Sequence, residues 1–205
     1  MVDFRKKLKS RTIQKVTEPK FIYEELDRQA SAGPLRPIQE RILNDWFNNR
    51  YNDKDVIIKL HTGEGKTLIG LLALQSRLNA GFGPCLYVCP SIQLAEQVSK
   101  DATKFGIKHK LHLSGSDIPV EFLEGKEILI TYVQRFFNGR SQFGIDNRHI
   151  TIGTVILDDS HACIDSMRSA YSVRAKKRSE IYQHLINLFE SSMRKQGEGS
   201  YLYGT

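Results

Sequence analysis

The sequence predicts an α/β protein, a mostly parallel sheet with helices on both faces. Three observations carry this. Between Asp55 and Asp158, short apolar runs alternate with longer amphipathic segments, the pattern of strand–helix–strand units. The runs lack polar alternation, as strands covered on both faces do. A glycine-rich turn at residues 61–67 also joins one apolar run directly to a helical pattern.

The elements follow in order. Residues 1 to about 30 are charged, with Phe4, Leu8, Ile13 and Val16 loosely at helical spacing, which predicts one or two short helices. Ala32, Gly33 and Pro34 break the chain. From Pro37 to about Asn49, residues Ile38, Ile42, Leu43 and Trp46 form one apolar helical face. Residues 56–60 read as a strand, and the turn after them leads into a helix ending near Asn79. Strands are then expected at 86–89, 110–113, 128–131 and 154–158, with a helix over 91–105. Beyond Asp159 the pattern is helical to about Met193, interrupted in composition by the basic run Arg174, Lys176, Lys177 and Arg178. That run reads as a solvated helix face or as a nucleic-acid contact. A loop is expected at 197–200.

The chain of 205 residues fits one large domain, and its 40% apolar content supports a core. Thirty Lys and Arg against 23 Asp and Glu give a net charge of +7. Such a balance suits a polyanionic partner, and equally a soluble basic protein. Cys85, Cys89 and Cys163 are odd in number and lack metal-ligand spacing, so neither a disulfide framework nor zinc is expected. No secretory signal and no apolar run of about 20 residues is visible, so an intracellular protein, cytoplasmic or nuclear and without a membrane segment, is expected.

Residues 62–67 carry the chemistry: Thr62, Gly63, Glu64, Gly65, Lys66 and Thr67. Glycines between a strand and a helix let backbone N–H groups turn inward, forming a concave nest for phosphate oxygens at a helix N-terminus. Lys66 would reach the β- and γ-phosphates, and the Thr67 hydroxyl would ligate Mg²⁺. The strict phosphate-loop pattern has a glycine where this chain has Leu60. A glycine turn before a helix without ligand is the alternative.

Such a loop needs a carboxylate at a neighbouring strand end. The predicted strand at 154–158 ends in Asp158 and Asp159, with His161 two residues on. Asp158 would hold the Mg²⁺ shell, Asp159 would orient the attacking water, and His161 would link the nucleotide site to the rest of the machine. The alternative is an acidic turn in which Asp159 or Ser160 caps the next helix.

Together these residues resemble superfamily 2 helicases of the DEAD/DEAH-like group. Residues 158–161 resemble that group's acidic box, and 62–67 its first motif. Residues 35–39 resemble the Q motif, whose glutamine, here Gln39, reads adenine. Residues 90–97 resemble the Pro-Thr motif that grips the nucleic-acid backbone, which places Ser91 on the track. Gly115 stands where the group has a Gly-Gly turn, and Thr131 where it has a backbone-contacting threonine. The resemblance implies a RecA-like P-loop domain over 34–205 after an N-terminal helical extension over 1–33. It implies ATP or ADP with Mg²⁺ as cofactors, DNA or RNA as partner, and an ATP-driven helicase or translocase. It also implies a second RecA-like domain beyond this chain, so that 205 residues by themselves would be a piece of a longer enzyme and nearly inactive. A nucleotide-binding regulatory or assembly module with little turnover is the alternative function. Three departures stand out: Asp159 replaces the usual glutamate, Arg36 replaces a small residue, and Ile92 replaces an arginine. The shorter acid withdraws its carboxylate by about 1.5 Å, a scale on which catalytic geometry matters.

Overall fold

The computed structural model describes residues 15–61, 63–115, 117–137, 143, 150–170, 172, 175–177 and 179–196. The chain divides into two units, residues 1–170 and 171–205.

The first unit is built on four parallel strands: β1 (Cys85–Cys89), β2 (His109–Leu111), β3 (Ile128–Tyr132) and β4 (Thr154–Leu157). Their order across the sheet is β2-β3-β1-β4. Register is set on both sides of Tyr87, which pairs with Ile130 of β3 and Ile156 of β4. Residues alternate sides along a strand. Cys85, Tyr87 and Cys89 of β1 and Ile128 and Ile130 of β3 therefore enter one core, and Leu86, Val88 and Leu129 enter the other. Both faces of β1 and β3 are covered, which explains the absence of polar alternation in these strands, while the edge strands leave Leu111 and Val155 exposed.

The first core holds α1 (Pro19–Glu25) through Ile22 and Tyr23, and α2 (Pro37–Asp45) through Leu43. Its centre is α3 (Lys66–Asn79), whose Leu68, Ile69, Leu71, Leu72, Leu74 and Leu78 are all buried. A helix apolar around most of its circumference can only sit in an interior. Helix α4 (Ile92–Lys104) lays a narrower stripe of Ala95, Val98 and Ala102 on the same side. The second core takes Phe122 from α5 (Val120–Leu123), Val133 from α6 (Val133–Phe136) and Cys163 from α7 (Ser160–Ala170).

Three expectations are corrected. Residues 56–60 are not a strand: among the described residues they pair with no strand, and Ile57 is 92% exposed. Apolar composition gave them strand propensity, but a strand exists only through a hydrogen-bonded neighbour, and no described strand lies alongside. The helix expected to Asn49 tightens only to Asp45 and then widens into a π-helical turn, Trp46–Arg50. The helical stretch expected from 160 to 193 is interrupted between α7 and α8 (Glu180–Gln196), where Ser179 accepts a capping hydrogen bond from the Tyr182 N–H at 3.2 Å. Lys176 and Lys177 lie in that interruption, exposed and outside any helix, so these two residues of the basic run are not on a helix face. Arg174, Arg178, Thr62, residues 1–14 and the loop expected at 197–200 lie outside the described residues.

In the second unit, α8 carries Ile181, Leu188 and Phe189 exposed. Among the described residues no helix is long and apolar enough to cross a membrane.

Candidate nucleotide site

The phosphate loop sits where α3 begins. Gly63 and Gly65 take φ of +87° and +80°, values that L side chains rarely adopt. Gly65 is the N-cap of α3. Within the loop, the His61 N–H donates to the Glu64 carboxylate at 2.7 Å, curling the turn. The first hydrogen bond of the helix runs from the Ile69 N–H to the Gly65 carbonyl at 3.3 Å. The N–H groups of Lys66, Thr67 and Leu68 begin the helix and have no carbonyl of their own helix to bond. Three donors and the positive end of a fourteen-residue helix thus point at one place.

Helix α2 holds this loop from behind. Gln39 is 4% exposed, and its amide donates to the Glu64 carbonyl at 3.2 Å. Its own oxygen accepts from the Arg36 N–H at 3.0 Å, and the Arg36 guanidinium donates to the Gly63 carbonyl at 2.8 Å. A Cβ on Gly65 would meet the Gln39 amide nitrogen, and the φ of +80° there strains any side chain, so glycine suits the position. A cavity of about 240 Å³ opens between Pro34, Arg36, Gln39, Thr67 and Phe105. A larger one, about 600 Å³, lies beyond Pro34 over Tyr23, whose ring carries the Arg28 guanidinium at 4.2 Å.

Asp158 comes to the same end of the sheet. Its N–H donates to the Val88 carbonyl at 2.9 Å, so it still rides on β1 one residue past β4. Burial and the neighbouring Asp159 raise its carboxyl above the ordinary value, while the Tyr87 hydroxyl and Lys66 act in the opposite sense. Asp159 is the one non-glycine residue with positive φ among the described residues, at +50°. Its carboxylate accepts from the Ala162 N–H at 3.3 Å and its carbonyl from the Cys163 N–H at 3.0 Å. It caps α7 as well as standing beside Asp158. His161 is exposed on the first turn of that helix.

These residues suit a small hard cation. Mg²⁺ takes oxygen ligands and few protein ones, and the chain offers a hydroxyl, Thr67 in the first turn of α3, and a carboxylate, Asp158 just past β4.

Of the residues expected on the track, Ser91 caps α4, accepting from the Leu94 N–H at 3.4 Å just after β1. Gly115 is exposed after β2 with φ of +89°. Both lie at the carboxyl ends of strands, where open parallel sheets bind ligands. Thr131 is fully buried, and its hydroxyl donates to the His112 carbonyl at 2.7 Å, so its side chain faces inward. The His112 ring in turn accepts from Arg135 at 3.0 Å. Burial, and then Arg135, lower the His112 pKa, keeping the imidazole neutral and able to accept. Sequence reasoning assigned no role to Arg36, Tyr87 or Arg135. For Arg36 a signal existed, its unusual place before Pro37. Tyr87 read only as a strand residue.

A family model described as DEAD/DEAH box helicase matches residues 36–189, from Arg36 through the phosphate loop and Asp158 into α8. The chain belongs to that family. A curated relative, the DEAD-box ATP-dependent RNA helicase 20 of Oryza sativa subsp. japonica, is 26% identical over 170 residues, covering 76% of this chain and 33% of that protein. The chain thus spans about a third of the length of the relative it matches. Membership in the DEAD/DEAH box helicase family, on a parallel α/β sheet, makes this a superfamily 2 motor domain of RecA-like fold. It favours that reading over a regulatory module.

Proposed function

We propose that this chain is the ATP-binding half of an RNA-directed motor. The observation that carries this is the meeting of three chain segments at one helix start. The 63–67 loop supplies the donors, Asp158 the carboxylate, and Gln39 the brace that joins α2 to the loop. Residues 62–67 hold the β- and γ-phosphates, with Lys66 on their oxygens. Thr67 and Asp158 hold Mg²⁺, which when bound neutralises charge developing on the phosphoryl group. Asp159 orients the water, and His161 faces the rest of the machine. Gln39 reads adenine from the edge of the smaller cavity.

Ser91, Gly115 and the backbone around Thr131 form this domain's side of the track, and the net charge of +7 suits a polyanion. RNA rather than DNA is supported by the name of the rice relative. A second RecA-like domain completes the site across a cleft, supplying arginine fingers worth about 10³ to 10⁵ in rate. Residues 1–33 are an extension and 34–205 the motor domain, working inside the cell.

Titration of a fluorescent ATP analogue with Mg²⁺ tests the reading. The chain binds it, and Lys66→Ala binds at least about tenfold more weakly, the loss of one charged contact. Equal affinities would sink the proposal.

A further inference from the structure

The smaller cavity has two walls. One is the phosphate loop with Gln39, and the other is the last turn of α4, which brings Asp101 and Phe105 to it. The N-terminal segment holds that turn in place. The Gln29 N–H donates to the Lys104 carbonyl at 3.0 Å, and Gly106, at φ of +71°, lies so close to the Asp27 backbone that a Cβ would meet it. On the first wall Gln39 is engaged with Glu64 and the Arg36 N–H, and the Arg36 guanidinium with Gly63. Asp101 differs. It is part-buried, and among the described residues no group donates a hydrogen bond to its carboxylate. It also stands in the last turn of a thirteen-residue helix, where the negative end of the dipole disfavours an acid. Burial raises its pKa, against the pull of Lys104. Neither helix nor core gains from a carboxylate there, which leaves the cavity as its reason.

We propose that Asp101 accepts hydrogen bonds from the ribose hydroxyls of the bound nucleotide and so selects ribonucleotides, which rests on the reading above that places phosphates on the loop and adenine at Gln39. ATP carries donors in two places, the amino group of the base and the hydroxyls of the sugar. The amino group goes to Gln39, whose oxygen keeps a second lone pair beside the Arg36 N–H. The sugar joins base to phosphates, and the cavity bounded by Gln39, Thr67 and Asp101 offers it one carboxylate, that of Asp101. A carboxylate only accepts, and its two oxygens match two neighbouring hydroxyls. Acidic side chains take ribose hydroxyls in the same way in dinucleotide sites.

The test is calorimetric titration of the whole chain, with Mg²⁺, by ATP and by 2′,3′-dideoxy-ATP. The unaltered chain binds ATP about tenfold more tightly, the worth of a hydrogen bond to a charged group. In Asp101→Ala that preference disappears: ATP affinity falls about tenfold, to the dideoxy level, while dideoxy-ATP affinity stays within about twofold. Asp101→Asn carries the test if the alanine variant does not fold. Its neutral oxygen holds hydroxyls more weakly, so its preference for ATP is smaller than that of the unaltered chain. Variants that lose both nucleotides alike overturn the proposal, since Asp101 then supports the cavity wall or touches the base. An unaltered chain that binds the two nucleotides equally overturns it as well, and leaves the reading of the site standing. If the unaltered chain binds neither, that reading falls and this inference with it.

Discussion

The Gln39 amide donates to the Glu64 carbonyl at 3.2 Å, and that bond ties the first turn of α2 to the phosphate loop across 25 residues of sequence. The Gln39 oxygen is engaged as well, by the Arg36 N–H. The side chain that reads adenine in the proposed function is thus also a brace. The proposed function therefore couples nucleotide arrival to loop shape through one carboxamide.

Gln39→Ala should therefore cost both stability and affinity. Loss of a part-buried hydrogen bond is worth about 1 kcal/mol, which is about fivefold in nucleotide affinity. A thermal-shift measurement and an analogue titration should move together. If the melting temperature falls while affinity is unchanged, the brace has no part in binding.

Asp159 should tolerate asparagine better than glutamate. At φ of +50° the short Asx side chains are accommodated while longer ones are disfavoured, and only a short side chain reaches back to cap Ala162. Asp159→Glu should lose about 1 kcal/mol in urea unfolding, and Asp159→Asn under about 0.5 kcal/mol. Equal stability of the Glu variant would show that the turn places no demand on this position.

Asp158 is held against its own folding preference. Its pKa is raised in the folded chain, so ionising it destabilises the fold above that pKa, and the cost disappears as pH falls through it. At neutral pH, Asp158→Asn should stabilise the metal-free chain by about 1 kcal/mol, as relieving a strained functional site does. The same variant should lose the Mg²⁺ dependence of nucleotide binding. A destabilised Asn variant would mean the carboxylate is a structural asset.

His112 gives a pH dependence of opposite origin. Its folded pKa is lowered from 6.5 by burial and by Arg135. The unfolded chain binds the proton first, so stability is full above about pH 6.5 and falls as pH drops below it. The slope reaches at most about 1.4 kcal/mol per pH unit for one group. Urea unfolding at pH 7.5 and 5.5 should show a larger loss for the unaltered chain than for His112→Gln, which keeps an acceptor for Arg135 but does not titrate. Parallel losses would remove His112 from the account.

Much of this was legible in the chain. Lys66 to Asn79 was readable as a helix because a glycine turn starts it and leucines fill it. Strands β1, β3 and β4 came within about a residue of their bounds, since apolar runs carry a strong strand signal, strongest for β1 and β3, which are covered on both faces. Residues 56–60 misled because propensity is local and pairing is not. Thr131 was recognised as a strand end, but nothing in its neighbours says which way a hydroxyl turns.

The sequence by itself determined the sheet, the phosphate loop and the acid pair, because period, glycine placement and charge at a strand end are local properties. Only the tertiary structure decided that Gln39 braces the loop, that Gly70 makes room for Tyr87, and that Thr131 faces inward. Each of these is a contact between residues at least 17 positions apart. Close packing fixes such contacts through shape, and no window along the chain contains both partners.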